Sequence, residues 1–348
     1  MVICIDKIKV LVVDDSILFR DFILKALENN DGIQVVGVAA DPYEARDKII
    51  ELKPDVMTCD IEMPRMDGIA FVTKLIPQYP IPVVMISSLT DRVFDALNAG
   101  AVDFVAKPGI TAKKDTDIFI KEELIPKIKS AYRAKIRIAK KPPERRERVI
   151  SAKPRHDRGY IIAIGASTGG TEAVYEVVKN LPADLPGIVI TQHIPPKFSE
   201  MFAERLNRES IMECREAKNG DMVEPGHMYV APGDRQMKVI KTADGYQLDC
   251  TGTYRENGHC PSVDVLFNSV AESAGSKGIG IILTGMGADG AKGLLHMKEK
   301  GAQTIGQDKK TSVVYGMPME AYKLGAVKFQ CPLDEIPRKL ESLLARIR

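Results

Sequence analysis

No stretch of this 348-residue sequence stays apolar for the roughly 18 residues that a bilayer-spanning helix needs; the longest run, around GIGIILTGMGA, is interrupted by glycines. No secretory leader is expected from the opening residues: MVICIDKIKVLVVDDS carries Asp6, Lys7 and Lys9 where a leader's apolar core would be unbroken. Cysteine is sparse. The six, at positions 3, 59, 214, 250, 260 and 331, include no CxxC pair. That argues against a zinc ribbon and a disulfide framework, and makes the reducing cytoplasm the expected compartment. Extremes of composition are also absent: 45% hydrophobic and 28% charged residues exclude wholesale disorder and a fibre. At roughly 150 residues per domain the length predicts two domains.

Net charge is only +2, but it is unevenly spread. Residues 127–158 hold thirteen Lys/Arg against Glu144, Glu147 and Asp157, with Pro142, Pro143 and Pro154 among them. High charge with little apolar surface cannot offset the entropy of ordering, so a helix end running into a flexible linker is expected here. A DNA-binding arm is the sharper alternative. No aromatic interleaving or helix-turn-helix pattern accompanies the basic run, so no nucleic-acid partner is expected. The predicted organisation is an N-terminal domain over 1–128, a basic linker over 129–158 and a second domain over 159–348.

Both halves alternate short Val/Ile-rich runs with amphipathic periods. Before the linker KVLVVDD, IQVVGVAA, DVMTCD, PVVMISS and AVDFVAKP read as five buried strands with helices between them. After it come YIIAIG, GIVITQ, GIGIILTG and AQTIG, each with an adjoining helix. Near-continuous apolar strands separated by helices predict an α/β class with parallel sheets covered on both faces. Turn residues at hairpin spacing across 211–253 predict an antiparallel excursion at one edge of the second sheet.

In open parallel sheets ligands sit beyond the carboxyl ends of the strands. Those ends carry Asp14 and Asp15 after strand one, Asp60 after strand three, Ser87 after strand four and Lys107 after strand five. With strand order 2-1-3-4-5 the three aspartates converge, and carboxylates so close call for a hard divalent cation, oxygen ligation suiting magnesium. An aspartate beside it can take a phosphoryl group, with Lys107 neutralising its oxygens and the Ser87 hydroxyl hydrogen-bonding one of them. Singly, each Asp could be a helix cap. The motifs VVDDS, CDIEMPRMDG and VAKP resemble those of two-component receiver domains across residues 8 to about 128, a flavodoxin-like fold. The resemblance implies Asp60 as phosphoacceptor, Asp14 and Asp15 serving magnesium, and Phe104 at the aromatic switch position.

The second half opens on GASTGG, which contains G-x-S-x-G at Gly165, Ser167 and Gly169 between a strand and a helix. A tight strand-to-helix turn exposes a serine hydroxyl, and the helix N-terminus favours a developing oxyanion. A nucleotide-binding glycine loop is the rival reading. Ser167 stands where its close-approach glycine belongs, and Gln192-His193 stands where a ribose-binding acid belongs. Of five histidines, His156 lies in the linker, His227 in a turn, His259 in a glycine-flanked loop and His296 on a helix flank. His193 alone ends a strand expected beside that of Ser167. Asp289, in the glycine-rich turn after GIGIILTG, supplies the carboxylate that would orient it. The order Ser, His, Asp is not that of α/β-hydrolases, chymotrypsin or subtilisin.

GASTGG, TQHIPP and TGMGADG behind a receiver resemble the chemotaxis protein-glutamate methylesterase family over essentially the whole chain. That resemblance implies hydrolysis of glutamyl methyl esters on methyl-accepting chemoreceptors, deamidation of receptor glutamines, and adaptation in chemotaxis as the setting. It also implies a chemotaxis histidine kinase as phosphodonor, magnesium in the receiver, no cofactor in the hydrolase site, and the Met286 backbone N–H as an oxyanion donor. A receiver-gated serine hydrolase acting on another ester or amide remains the alternative, since motifs do not report substrate shape.

Overall fold

The computed structural model describes residues 7–28, 30–88, 92–108, 116, 118–136 and 159–345. The chain divides into two compact units, Met1–Lys141 and Pro142–Arg348, taken here one at a time. The expected linker is described only as far as residue 136; its remainder, 137–158, lies outside the described residues. No helix among the described residues is long and apolar enough to cross a membrane.

The first unit carries β1 (Ile8–Val13), β2 (Ile33–Ala39), β3 (Val56–Asp60), β4 (Val83–Ser87) and β5 (Asp103–Ala106). They form one sheet in the order β2-β1-β3-β4-β5, and every pairing is parallel. The helices are α1 (Ile17–Glu28), α2 (Pro42–Leu52), α3 (Gly68–Leu75), α4 (Val93–Asn98) and α5 (Ile125–Tyr132), the last preceded by a π-helical stretch Phe119–Leu124. Val10, Leu11, Val12 and Val13 are at most 1% exposed, which explains the unbroken apolar run: helices cover both faces of the sheet. Several helix starts are written locally. Asp41 accepts from the N–H groups of Tyr43 and Glu44 to cap α2, and Asp67 accepts from Ala70 N–H to cap α3.

The second unit has β6 (Ile161–Ala166), β7 (Ile188–Gln192), β8 (Glu213–Glu216), β9 (His227–Val230), β10 (Gln236–Thr242), β11 (Gly245–Gly252), β12 (Gly278–Ile282), β13 (Gln303–Gln307) and β14 (Phe329–Cys331). Seven of these make a parallel sheet in the order β14-β13-β12-β6-β7-β9-β8, while β10 and β11 pair antiparallel as a separate ribbon. The antiparallel hairpin is thus present within 211–253, as a ribbon separate from the main sheet. CREAK and HMYV fall on β8 and β9, which run parallel to each other inside the main sheet. Hairpin-spaced turn residues mark chain reversals; strand direction depends on what the intervening chain crosses.

Helices of this unit are α6 (Gly170–Val178), α7 (Phe198–Glu209), α8 (Val263–Ala274), α9 (Ala291–Glu299), α10 (Met317–Lys323) and α11 (Ile336–Ala345). From β6 the chain moves one way to β7 and later returns to fill β12 on the other side, so β6 adjoins the topological switch point, where crevices open at the carboxyl ends. Close approach of α8 to β6 needs Gly165, where a Cβ would sit 2.1 Å from Val263 Cγ1 and 3.1 Å from Phe267 Cζ.

Gly165→Ala is therefore expected to destabilise this unit by about 1–3 kcal/mol through overpacking. Adding Val263→Ala should recover part of the loss. Urea unfolding of the two single variants and the double variant measures the coupling, and additive losses would show that this contact is not what demands glycine.

Candidate functional site

In the first unit the strand ends meet as the sequence suggested. Asp14 follows β1, Asp60 closes β3 and Ser87 closes the neighbouring β4, all three buried. Asp14 accepts from Ser16 N–H at 2.9 Å, and the Ser16 hydroxyl accepts from Phe19 N–H at 3.3 Å, which starts α1 beside the cluster. Lys107 Nζ reaches Asp14 Oδ2 at 2.8 Å and Asp60 Oδ2 at 2.5 Å, so one ammonium bridges two buried carboxylates. Burial pushes the Asp60 carboxyl up to about 6; the hydrogen bond and charge of Lys107 oppose this, and the Asp14 charge adds to it. Asp14, Asp15 and Asp60 each offer an oxygen within 4.8 Å of the others, with Asp15 exposed. One ammonium against three carboxylates leaves negative charge unbalanced, so the donor set fits a hard cation bound by oxygen. Phe104 is buried in β5, its ring edge-on to Phe94 at 6.3 Å.

In the second unit Ser167, His193 and Asp289 come from the ends of three adjacent strands, β6, β7 and β12. Ala166 is paired with Gln192 across β6 and β7, so the next residues on each strand are Ser167 and His193. Sharp turning after the serine falls on Gly169, at φ +72, just before α6. A glycine is also needed at 285, where a Cβ would lie 2.7 Å from Ser167 Cβ. His193 Nδ1 is 3.1 Å from Ser167 Oγ, and His193 Nε2 is 2.7 Å from Asp289 Oδ2. A carboxylate only accepts, so Nε2 carries the proton and Nδ1 accepts from the serine hydroxyl. The imidazole is thus engaged in the reverse sense to chymotrypsin, whose Nδ1 faces the aspartate.

Asp289 does not cap its own helix: the residue before α9 is Gly290, at φ +87. Its carboxylate instead sits on the N-terminus of α8, accepting from Val263 N–H at 2.7 Å, Asp264 N–H at 3.1 Å and the Ser262 hydroxyl at 2.7 Å. Asp264, in the first turn of α8, accepts in return from Gly293 N–H of α9 at 2.7 Å. Two helix starts are thus cross-capped by each other's carboxylates. Burial works to raise the Asp289 carboxyl, but the His193 hydrogen bond and charge, the Ser262 hydroxyl and Val263 N–H outweigh it and hold the group down at about 2.

Met286 is half-buried, and its N–H has no hydrogen-bond partner among the described residues. The carbonyl of the same peptide, Gly285 O, accepts from both Gly316 N–H and Met317 N–H, at 3.1 and 2.8 Å. A trans peptide fixed by its oxygen presents its N–H the opposite way. Three residues of the site carried no signal of a role in sequence. His259 stacks on His193, with centroids 3.8 Å apart and planes 11° apart. Gln236, buried in β10, donates to Tyr254 O and His259 O and accepts from Ser262 N–H, tying down the loop that carries His259. Ser262 was visible only as a polar residue ahead of an apolar helix. His156 lies outside the described residues, while His227 and His296 instead pair with glutamates.

A CheB methylesterase family model matches residues 162–340, and a response regulator receiver domain model matches residues 10–114. The chain is 52% identical over 341 residues to protein-glutamate methylesterase/protein-glutamine glutaminase 2 of Syntrophomonas wolfei, covering 98% of this chain and 99% of that protein. Identity to the corresponding protein of Syntrophotalea carbinolica is 45%, at 98% and 99% coverage. Among solved structures, the Thermotoga maritima CheB methylesterase catalytic domain covers 53% of this chain and 98% of its own, at 38% identity and a TM-score of 0.52.

Burial, and then the charge of His193, push His259 down from the ordinary 6.5 to about 4. Folding therefore disfavours its protonation, so this histidine's contribution is intact above about 6.5 and is lost as the pH falls from there towards about 4. His259→Phe keeps a ring against His193 and removes that titration. The variant's melting temperature should fall less than the wild type's between those pH values, and parallel curves would show that His259 titrates normally.

Proposed function

The chain belongs to the CheB methylesterase family, behind a response regulator receiver domain, and from that footing we propose that it hydrolyses glutamyl methyl esters on chemoreceptors through Ser167, His193 and Asp289. Deamidation of receptor glutamines follows the same route, in keeping with relatives named protein-glutamate methylesterase/protein-glutamine glutaminase. The observation that carries the reading is the continuous hydrogen-bonded line from Ser167 Oγ through the imidazole to a carboxylate held at the start of α8.

His193 Nδ1 takes the Ser167 proton as Oγ bonds to the ester carbonyl carbon. The oxygen that gains charge is met by backbone N–H, that of Met286 among them. Collapse breaks the bond to the methoxy group, which leaves as methanol with the proton from Nδ1, or as ammonia from a glutamine. Water then gives a proton to Nδ1, attacks the glutamyl–serine ester, and frees glutamate and Ser167. Asp289 keeps Nε2–H in place and stabilises the imidazolium. No cofactor enters these steps.

The receiver is proposed to gate this activity. Asp60 is the phosphoacceptor, with a chemotaxis histidine kinase as the donor; Asp14, Asp15 and Asp60 would hold magnesium, which would neutralise phosphoryl charge. Lys107 and Ser87 meet the phosphoryl oxygens, and phosphorylation biases Phe104 and so the receiver's two-state equilibrium. The reading also takes residues 1–128 as the receiver, 129–158 as a linker and 159–348 as the catalytic domain, acting in adaptation inside the cytoplasm.

Methanol release from methylated receptor membranes tests the hydrolase. Ser167→Ala should abolish it, His193→Ala nearly so, and Asp289→Asn should lose less than either, because members of a catalytic unit are non-additive. Wild-type turnover by Ser167→Ala would overturn the assignment, whereas an active triad inert towards these membranes would point to another ester or amide. A small phosphodonor with magnesium should raise the rate of the wild type and leave Asp60→Asn unchanged, with no acid-labile phosphate on that variant. Labelling that persists there would place the acceptor elsewhere.

A further inference from the structure

Past the paired ends of β6 and β7 the two chains part. One turns through Gly169 into α6; the other runs into Pro195 and Pro196. The last backbone tie between them is His193 N–H to Ala166 O, at 3.2 Å. Beyond it, Ser167 is tied to its own turn and to β12, its N–H donating to Thr284 O at 3.0 Å and its carbonyl accepting from Gly170 N–H at 2.6 Å, and one amide side chain links it to His193. Gln192 Nε2 donates to Ser167 O at 2.9 Å and to His193 O at 3.2 Å. Gln192 is 4% exposed, and its Oε1 has no hydrogen-bond partner among the described residues. That oxygen rests against Gly170, where a Cβ would lie 2.1 Å from it. The second glycine of the GG pair thus makes room for the glutamine.

We propose that Gln192 is a positioning residue that sets the separation of Ser167 and His193 by clamping both backbone carbonyls with one NH₂ group. The inference rests on the triad reading above. A buried carbonyl oxygen without a partner forfeits its hydration, so the amide is a costly way to fill this space. An apolar residue of similar size would leave no orphan on its own side chain. What the amide supplies is two donors on one planar nitrogen, reaching both carbonyls at once. It bonds to the backbone carbonyls of Ser167 and His193 and not to Ser167 Oγ or the imidazole. Its effect is geometric: it fixes the starting distance over which Ser167 Oγ hands its proton to Nδ1.

The test follows phosphonylation of Ser167 by a fluorophosphonate probe on the intact protein, with methanol release from receptor membranes alongside. Gln192→Leu removes both donors. Gln192→Glu keeps the shape and packing against Gly170 while turning a donor towards oxygen into an acceptor, and it serves if the leucine variant does not fold. Both should label about 10–100-fold more slowly, since small misplacements of reacting groups cost up to about that much. The loss should appear in kcat with KM unchanged. In a His193→Ala background the same substitutions should alter labelling by less than about twofold, because there is no longer a serine–imidazole geometry to set. Labelling of the Gln192 variants at the wild-type rate, or an equal loss with and without His193, overturns the clamp. Labelling that survives Ser167→Ala overturns the triad itself, which is a separate failure.

Discussion

The catalytic half of this protein depends on where one carboxylate is buried. Asp289 is 4% exposed yet held as an anion, because it accepts from the N–H groups that begin α8 and have no partner within that helix. A helix start offers unsatisfied donors and the positive end of the helix dipole, together worth up to about 2 kcal/mol to an anion in a partly buried site. The Ser262 hydroxyl adds a charge-assisted hydrogen bond. The remaining partner is His193, so the imidazole is anchored through Nε2 and leaves Nδ1 for the serine. Much of the surrounding chain can be read as support for that arrangement. Gly165 lets α8 lie against β6, Asp264 ties α8 to α9, and Gln236 ties the Ser262 backbone to β10.

The receiver half applies the same sheet-edge logic with opposite electrostatics. In the hydrolase site a carboxylate is neutralised by N–H groups and an imidazole. In the receiver, three carboxylates gather with one ammonium, and Asp60 is pushed up to about 6 by burial ahead of the opposing pull of Lys107. Such a cluster gains from any added positive charge, and a phosphoryl group on Asp60 would alter it sharply. One parallel architecture thus provides a hydrogen-bonded line of Ser167, His193 and Asp289 in one unit and a cluster of carboxylates around an ammonium in the other. Both sites sit at carboxyl ends because parallel strands bring unlike loops together there.

Much of this was legible in the sequence because its determinants are local. Apolar runs of five to six residues between amphipathic periods are the direct trace of strands buried on both faces, and the receiver helices carry their own caps in Asp41 and Asp67. The three strand-end residues of the hydrolase site could be nominated because β6, β7 and β12 announce themselves. The hairpin falls within the stretch that the turn pattern marked, but that pattern did not separate its strands from β8 and β9, since hairpin-spaced turns do not distinguish an antiparallel return from a parallel crossover.

Taken alone, the sequence determined the element types and nominated a short set of side chains able to do chemistry, because periodicity and turn chemistry act within a few residues of each other. Tertiary structure decided what each polar group is for. Asp289 reads locally as a cap for α9 but serves α8, which begins 26 residues earlier in the chain. His259 reads as a loop histidine yet stacks on His193. Gln192 reads as the end of a strand and holds two carbonyls at once. Those assignments depend on contacts between segments far apart in the chain, and such contacts exist only once the sheet has brought its strand ends to one edge.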